Sequence, residues 1–382
     1  MTEPVQFIDL VAQQRRLRPH LDAAIARVLD HGRYILGPEV DALERALARR
    51  AGVPHAIACA NGTDAMQLVL LAAGVGPGDA VFVPAFTFTS TAEVVSLAGA
   101  TPVFVDVDPT TFNIAPASLE AAIAAVRSDG ALVPRGVIAV DLFGQPAAYP
   151  VLEAICARHD IWLMEDAAQS FGARLGNRMV GAFGLAATTS FYPAKPLGCY
   201  GDGGAIFTRD GDLAARLVSL RQHGQGTDKY DNVYIGMNSR LDTLQAAVLL
   251  AKLEIFDEEI DAREAAARRY DSLLDGIVAT PRLAAGATSV WAQYTVVTDR
   301  RDRLQAALKA RGIPSVVYYP RALTQQTAYR HYPAAPGGCP VSDGLASTVL
   351  SLPMHPYLDA ATQERIAGAV HAGLAEAGAP AA

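Results

Sequence analysis

The sequence predicts an α/β protein in which helices cover a mostly parallel sheet. From His55 onward, short apolar runs of strand length alternate with segments whose apolar residues recur at helical spacing. These short runs are apolar on both faces, which is typical of parallel strands buried between two layers of helices. With 382 residues, of which 51% are hydrophobic, the chain is long enough for a large core and for two domains.

The elements of the first half follow from this alternation. Helices are predicted at residues 21–30 and 38–50, the second ending before Gly52. The predicted strands are residues 55–60, 80–84, 103–105, 136–140 and 161–164. Between them, one helix is predicted to end at Ala73, and three more cover residues 89–97, 116–127 and 147–159.

The second half is less regular. Residues 186–191 and 203–208 are predicted as paired strands, followed by a helix at 210–222 and a polar loop at 223–238. A long helix of about residues 241–274 is predicted to join a large domain (1–255, with an N-terminal arm) to a small C-terminal domain (256–382). The predicted elements of the small domain are strands at 291–297 and 314–319, a helix at 302–311 and a last helix from residue 361.

Composition excludes several classes of partner. The formal net charge of −7 provides no basic surface for nucleic acid, and no apolar run approaches the roughly 18 residues of a membrane span. The four cysteines lack metal-ligand or redox spacing, and the N-terminal residues lack a basic segment followed by an apolar one. We therefore expect a cytoplasmic protein without a metal site that acts on a small molecule.

The most informative stretch is residues 190–204, which contains Ser190, then Lys195 between two prolines, then a glycine cluster. Glycines let the backbone approach a ligand closely, and a buried lysine has a lowered pKa that suits an amine nucleophile or proton carrier. The other lysines, at 229, 252 and 309, lie in segments typical of solvated loop or helix surface. A surface turn with a solvated Lys195 is the alternative.

Two further segments could bind one ligand together with this stretch. Gly62 and Thr63 fall where a strand gives way to a helix, which suits a phosphate or an ordinary helix cap. Asp166 follows an apolar strand and has Gln169 three residues on, so it could hold a protonated ring nitrogen, ligate a metal or cap a helix. A phosphate cradle, an acid, a hydroxyl and an amine in this order together suit pyridoxal phosphate.

Several motifs also carry a family resemblance, and they extend over nearly the whole chain. They are residues 7–10, 37–40, 61–64, 165–170, 190–204, 236–241 and 352–358. With these motifs the chain resembles the sugar aminotransferases of the DegT/DnrJ/EryC1/StrS family, in the aspartate aminotransferase superfamily. The resemblance implies the pyridoxal-phosphate-dependent transferase fold, with a large cofactor-binding domain and a smaller C-terminal α+β domain.

The resemblance also implies roles for individual residues. Lys195 stands where the family binds pyridoxal phosphate covalently, and Asp166 where the pyridine nitrogen is kept protonated. Gln169 matches the residue near the ring hydroxyl, and Phe88 the aromatic residue that stacks on the ring.

The phosphate contacts match Gly62, Thr63 and Ser190. Asn238 matches a residue that reaches the phosphate from the neighbouring subunit, which implies a homodimer with shared active sites.

The implied reaction moves nitrogen from L-glutamate, which leaves as 2-oxoglutarate, to a UDP- or dTDP-linked keto sugar. Arg240 is the candidate for binding a carboxylate of glutamate or of the sugar. Tyr318 stands where many members have histidine, at a position implied to face substrate. The motifs at 195–204 and 238–247 are most similar to enzymes that aminate carbon 3 of UDP-2-acetamido-2-deoxy-3-oxo-glucuronate for surface polysaccharides such as lipopolysaccharide.

Three alternatives stay open at this point. The enzyme could aminate another keto position or a dTDP-sugar. It could be a dehydratase of the same fold that uses pyridoxamine phosphate, although those relatives replace the lysine with histidine and this chain has Lys195. It could also be a non-catalytic sensor of the cofactor or of a nucleotide sugar.

Overall fold

The computed structural model describes residues 4–228 and 230–375. The helices are α1 (Leu10–His31), α2 (Pro38–Ala51), α3 (Gly62–Ala72), α4 (Ser90–Leu97), α5 (Pro116–Asp129), α6 (Tyr149–His159), α7 (Gly211–Leu220), α8 (Thr243–Leu253), α9 (Phe256–Leu274), α10 (Arg301–Ala310), α11 (Pro340–Thr348) and α12 (Ala360–Ala375). The strands are β1 (His55–Cys59), β2 (Asp79–Pro84), β3 (Thr101–Val105), β4 (Val133–Val140), β5 (Trp162–Asp166), β6 (Arg174–Leu175), β7 (Arg178–Met179), β8 (Ala186–Ser190), β9 (Gly204–Thr208), β10 (Tyr294–Val297) and β11 (Val349–Leu352).

The central sheet has the strand order β1-β9-β8-β5-β4-β2-β3. The strands from β8 to β3 pair in parallel, whereas β9 is antiparallel to both β8 and β1. The predicted α/β class with a mostly parallel sheet is therefore confirmed, as is the pairing of the strands near 186–191 and 203–208.

Both faces of the sheet are covered by helices. On β2, Val81 and Val83 belong to a buried cluster with α3, α4 and α7. Ala80 and Phe82 on the same strand belong to a second cluster with α5 and α6. Because successive side chains of a strand point to opposite faces, these two clusters are the two halves of the core.

The N-terminal helix is longer than predicted, since α1 begins at Leu10 rather than near residue 21. The Asp9 side chain caps it by accepting a hydrogen bond from the backbone N–H of Ala12 at 2.8 Å. Leu17 and Leu21 pack on Val248 and Ala251 of α8. One buried face therefore supports the whole helix, including its polar first half.

The predicted helix at 241–274 is wrong as one continuous element. It is two helices, α8 and α9, separated at Glu254 and Ile255. The first packs against α1 and α2 of the sheet domain, whereas the second packs against α12. One straight helix cannot serve both sets of partners, so the chain bends between them. The proposed domain boundary at 255/256 stays a prediction.

The strand predicted at 314–319 is also wrong. Only Val316 pairs with another strand, exchanging backbone hydrogen bonds with Ser351 of β11. Pro314 and Pro320 lack an N–H, which limits how far this pairing can extend. The partner of β10 is β11, which pattern analysis did not assign.

Two acidic side chains are buried beneath the carboxyl edge of the sheet. Asp141, directly after β4, accepts hydrogen bonds from the Tyr149 and Ser170 hydroxyls, both at 2.7 Å, and from the Ala147 N–H at 2.8 Å. Burial raises the pKa of Asp141 to about 7, although these hydrogen bonds oppose the rise. Burial likewise raises the pKa of Glu165 well above its ordinary range.

The Asp141 carboxyl should make stability depend on pH. Its pKa is higher in the folded state than its ordinary 3.8, so the folded protein binds more protons between these values and loses stability as pH rises towards 7. Asp141→Asn cannot ionise. We measure the free energy of unfolding of both proteins by urea titration. We expect the value for Asp141→Asn, relative to that of the wild type, to be about 1–3 kcal/mol higher at about pH 8 than at about pH 5. A difference between the two proteins that does not change with pH would contradict this.

Candidate active site

The predicted site residues meet at the carboxyl edge of the sheet. Gly62 follows β1, Phe88 follows β2, Asp166 ends β5 and Ser190 ends β8. Parallel strands bring these positions to one side, where ligands bind in open α/β sheets. Lys195 lies in the turn that follows β8.

The start of α3 and the end of β8 lie close together and could hold a phosphate. Asn61 caps α3 by accepting a hydrogen bond from the Asp64 N–H at 2.8 Å, so the predicted helix cap is present. A Cβ on Gly62 would lie 2.7 Å from the Cβ of Ser190. Only glycine therefore lets the positive N-terminus of the helix approach the Ser190 hydroxyl this closely. Thr63 is half-buried beside it.

Asp166 and Lys195 form the charged centre of the site. Burial raises the pKa of Asp166, and the hydrogen bond from the Ala168 N–H and the charge of Lys195 oppose the rise. Burial lowers the pKa of Lys195, and Asp166 opposes that shift. Asp166 is buried and Lys195 is half-buried, and each group stabilises the charge of the other. A solvated Lys195, the alternative interpretation, does not fit this environment.

Gln169 and Phe88 lie beside this pair. The Oε1 of Gln169 accepts a hydrogen bond from the Phe143 N–H at 2.7 Å, and its Nε2 lies 3.5 Å from the Tyr319 hydroxyl. Phe88 is 52% exposed, with its ring centroid 6.2 Å from that of Tyr319. The exposed face of Phe88 is available to a planar ligand.

The turn that carries Lys195 is tightly built. The Ser190 hydroxyl accepts a hydrogen bond from the Tyr192 N–H at 3.3 Å, and the Lys195 N–H donates to the Tyr192 carbonyl at 2.8 Å. A Cβ on Gly198 would lie 2.5 Å from the Pro193 carbonyl oxygen. The glycine cluster predicted to allow close approach therefore packs against the lysine turn itself.

The three remaining candidates are Asn238, Arg240 and Tyr318. Asn238 is exposed at the end of the 223–238 loop, and the next residue, Ser239, accepts a hydrogen bond from the Ala60 N–H at 3.2 Å. Arg240 is half-buried. Tyr318 is also half-buried. Its pKa is raised mainly by burial and to a smaller extent by the nearby Tyr192.

The prediction for the other lysines is wrong at one position. Lys252 is 1% exposed rather than solvated, whereas Lys309 is exposed as expected. Lys229 lies outside the described residues. The sequence carried a signal for Lys252, because residues 246–253 are apolar on every face of the helix apart from this lysine.

Two more residues of the site were missed. Tyr319 contacts Gln169 and its ring packs at a tilt against Phe88, although only its neighbour Tyr318 was singled out. Asp141 follows a buried strand next to the one that ends at Asp166, so its position at the carboxyl edge was readable from the strand pattern.

The donor set fits pyridoxal phosphate. A helix N-terminus and a hydroxyl converge for a phosphate, a buried carboxylate is placed for a cationic ring nitrogen, and a lysine with a lowered pKa is placed for a carbonyl. Within residues 4–228 and 230–375, no group of three or more His, Cys, Asp or Glu side chains is arranged to bind a metal ion. In the same part of the chain, no helix has the length and apolar composition to cross a bilayer.

The chain is similar to characterised proteins over nearly its full length. It is 50% identical to the UDP-2-acetamido-2-deoxy-3-oxo-D-glucuronate aminotransferase of Pseudomonas aeruginosa, over 96% of this chain and 99% of that protein. It is 41% identical to the dTDP-3-amino-3,4,6-trideoxy-alpha-D-glucose transaminase of Streptomyces venezuelae, over 97% and 96%. A crystal structure of a DegT DnrJ EryC1 StrS aminotransferase from Brucella abortus superposes with a TM-score of 0.96 at 57% identity, over 97% and 99%.

These similarities confirm the predicted fold, enzyme class and cofactor. The family match covers residues 16–371, which includes every site residue described above. The chain therefore belongs to the DegT/DnrJ/EryC1/StrS aminotransferase family and is a pyridoxal-phosphate-dependent aminotransferase.

Proposed function

We propose that this aminotransferase moves the amino group of L-glutamate to carbon 3 of UDP-2-acetamido-2-deoxy-3-oxo-glucuronate. The observation that carries the proposal is the 50% identity, end to end, with a protein named for this reaction. The motifs at 195–204 and 238–247 support the same substrate class. The product would be an amino sugar for surface polysaccharides.

Five residues would hold the phosphate and the ring of the cofactor. Gly62, Thr63 and Ser190 are proposed to bind its phosphate, since they surround the N-terminus of α3. Asp166 would accept a hydrogen bond from the protonated ring nitrogen and Gln169 would lie at the ring hydroxyl. When bound, pyridoxal phosphate supplies an electron sink that stabilises a carbanion next to the transferred nitrogen.

Lys195 is proposed as the catalytic amine and proton carrier. Because burial lowers its pKa, a larger fraction of the side chain is neutral near pH 7 than for a solvated lysine. A neutral amine can attack a carbonyl carbon and can accept a proton, and the ammonium that results can return it. Asp166, held in place at the end of β5, would keep the adjacent ring nitrogen cationic during both half-reactions.

The aromatic side chains would shield this chemistry from water. Phe88 is proposed to stack on the cofactor ring. Beyond it, Tyr319 packs at a tilt against Phe88 and edge-to-face with Phe86. Arg240 is the proposed site for a carboxylate of glutamate or of the sugar, because a guanidinium can bind a carboxylate with two hydrogen bonds. Tyr318 would face the substrate.

A homodimer is part of the proposal. The 223–238 loop exposes large apolar side chains, with Ile235 92% and Val233 52% exposed, and it ends at Asn238. Apolar side chains clustered on one loop support contact with another protein surface. Asn238 would then contribute to the phosphate site of the partner subunit. A cytoplasmic location and a domain boundary at 255/256 complete the proposal.

The dehydratase and sensor alternatives are less well supported. A dehydratase of this fold is expected to have histidine at position 195, whereas this chain has lysine. A sensor would not need a half-buried lysine beside a buried aspartate with opposing pKa shifts.

Removing the Lys195 amine tests the proposed catalytic role. Lys195→Ala should lose the yellow absorbance of lysine-bound cofactor and about 10²- to 10⁴-fold or more of turnover with glutamate, because both the nucleophile and the proton carrier are lost. Lys309→Ala changes an exposed lysine and serves as the control. Full activity in Lys195→Ala would contradict the proposal.

Substrate choice is tested in the second half-reaction. Enzyme that has taken up nitrogen from glutamate is separated from 2-oxoglutarate and offered UDP- and dTDP-linked keto sugars, and the return of the yellow absorbance is followed. We expect UDP-2-acetamido-2-deoxy-3-oxo-glucuronate to react fastest, with the sugar lacking the carboxylate slower by about tenfold or more. Faster reaction of a 4-keto or dTDP-linked sugar would overturn the substrate assignment without affecting the cofactor site.

A further inference from the structure

Lys252 on α8 is a fully buried lysine outside the proposed catalytic set. It is 1% exposed and sits in a helix whose neighbouring residues are apolar. None of the ion pairs within residues 4–228 and 230–375 includes it. Burying an ammonium that has no ion-pair partner costs folding free energy, so other contacts must offset this cost.

The ammonium has two defined contacts, and both lie in the segment that follows Lys195. Its Nζ donates a hydrogen bond to the Gly198 carbonyl oxygen at 2.6 Å. The same atom lies 4.3 Å from the ring centroid of Tyr200, within the range of a cation–π interaction. Burial lowers the pKa of Lys252 to about 8, and Glu259 opposes this shift.

A second side chain of α8 holds the same segment. The Oε1 of Gln245 accepts a hydrogen bond from the Tyr200 N–H at 2.8 Å, and its Nε2 donates to the Tyr200 carbonyl at 3.4 Å. Residues 198–200 are therefore fixed to one helix at both ends. We call this arrangement the α8 clamp, formed by Lys252 and Gln245.

The clamped segment packs directly on the turn that presents Lys195. A Cβ on Gly198 would lie 2.5 Å from the Pro193 carbonyl oxygen and 2.7 Å from that of Tyr192. The Tyr192 carbonyl also accepts the hydrogen bond from the Lys195 N–H. The backbone of Gly198 thus packs against the Lys195 turn, and an outward movement of residue 198 would remove this packing.

We propose that Lys252 is a positioning residue that holds the Lys195 turn in the conformation in which Lys195 can bind the cofactor. It acts through the Gly198 carbonyl and does not touch the reacting atoms. The proposal rests on the proposed role of Lys195. An ammonium suits this task because its hydrogen bond to a carbonyl is charge-assisted and stronger than one from a neutral donor.

The test compares Lys252→Met with Lys252→Arg. Methionine keeps an unbranched apolar chain and removes the hydrogen bond, whereas arginine keeps a cationic donor. Pyridoxal phosphate is added to the cofactor-free protein, and the growth of the yellow absorbance is followed together with kcat and KM for glutamate. We expect Lys252→Met to form the absorbing species about tenfold more slowly and to lower kcat with little change in KM, and Lys252→Arg to restore most of the rate.

Two further variants make each outcome decisive. Lys309→Met, at an exposed position, is the matched control and should behave as the wild type. Gln245→Ala removes the other half of the clamp at a half-buried position, so it should slow cofactor uptake even if Lys252→Met fails to fold. Cofactor uptake at the wild-type rate in Lys252→Met would overturn the proposal, and if Lys252→Met does not fold, the same result in Gln245→Ala would overturn it. Equal losses of the uptake rate in Lys252→Met and Lys252→Arg, together with a lowered melting temperature, would also overturn it. Failure of the proposed Lys195 role would instead appear as absorbance retained in Lys195→Ala.

Discussion

The structure depends on one electrostatic constraint, the placement of the half-buried Lys195 beside the buried Asp166. Burial raises the pKa of the carboxyl and lowers that of the amine, and each charge opposes the shift of the other. The pair can be held only because Asp166 ends a central strand and Lys195 lies in a turn fixed at the end of the neighbouring strand. The sheet supplies a rigid base that loops alone could not provide.

Much of the surrounding structure can be understood as support for that pair. The start of α3 approaches Ser190 through a position that only glycine can fill, and this places the proposed phosphate-binding groups at the same edge of the sheet as Lys195. Beneath the sheet edge, Asp141 holds Ser170 and so fixes the turn that carries both Asp166 and Gln169. On the other side, Lys252 and Gln245 of α8 form hydrogen bonds with residues 198–200, which follow Lys195. Asp141 and Lys252, two buried polar groups that are costly to stability, therefore lie around the site.

The sequence predicted the sheet well because its strands are apolar on both faces and are punctuated by glycine, proline and asparagine. It also predicted where Gly62, Asp166, Ser190 and Lys195 meet, since strand ends of a parallel sheet share one edge. It failed where tertiary contacts override local pattern. The break between α8 and α9 lies inside a sequence with strong helical spacing, and Lys252 resembles a surface lysine until the apolar residues around it are counted.

Chemical trapping can identify the lysine that binds the cofactor covalently, which we propose to be Lys195. Reducing the yellow holoenzyme with borohydride fixes the cofactor to whichever lysine holds it, and mass mapping of the peptides then identifies that residue. We expect the added mass on the peptide that contains Lys195. The same mass on a peptide containing Lys252, Lys229 or Lys309, with Lys195 unmodified, would contradict it.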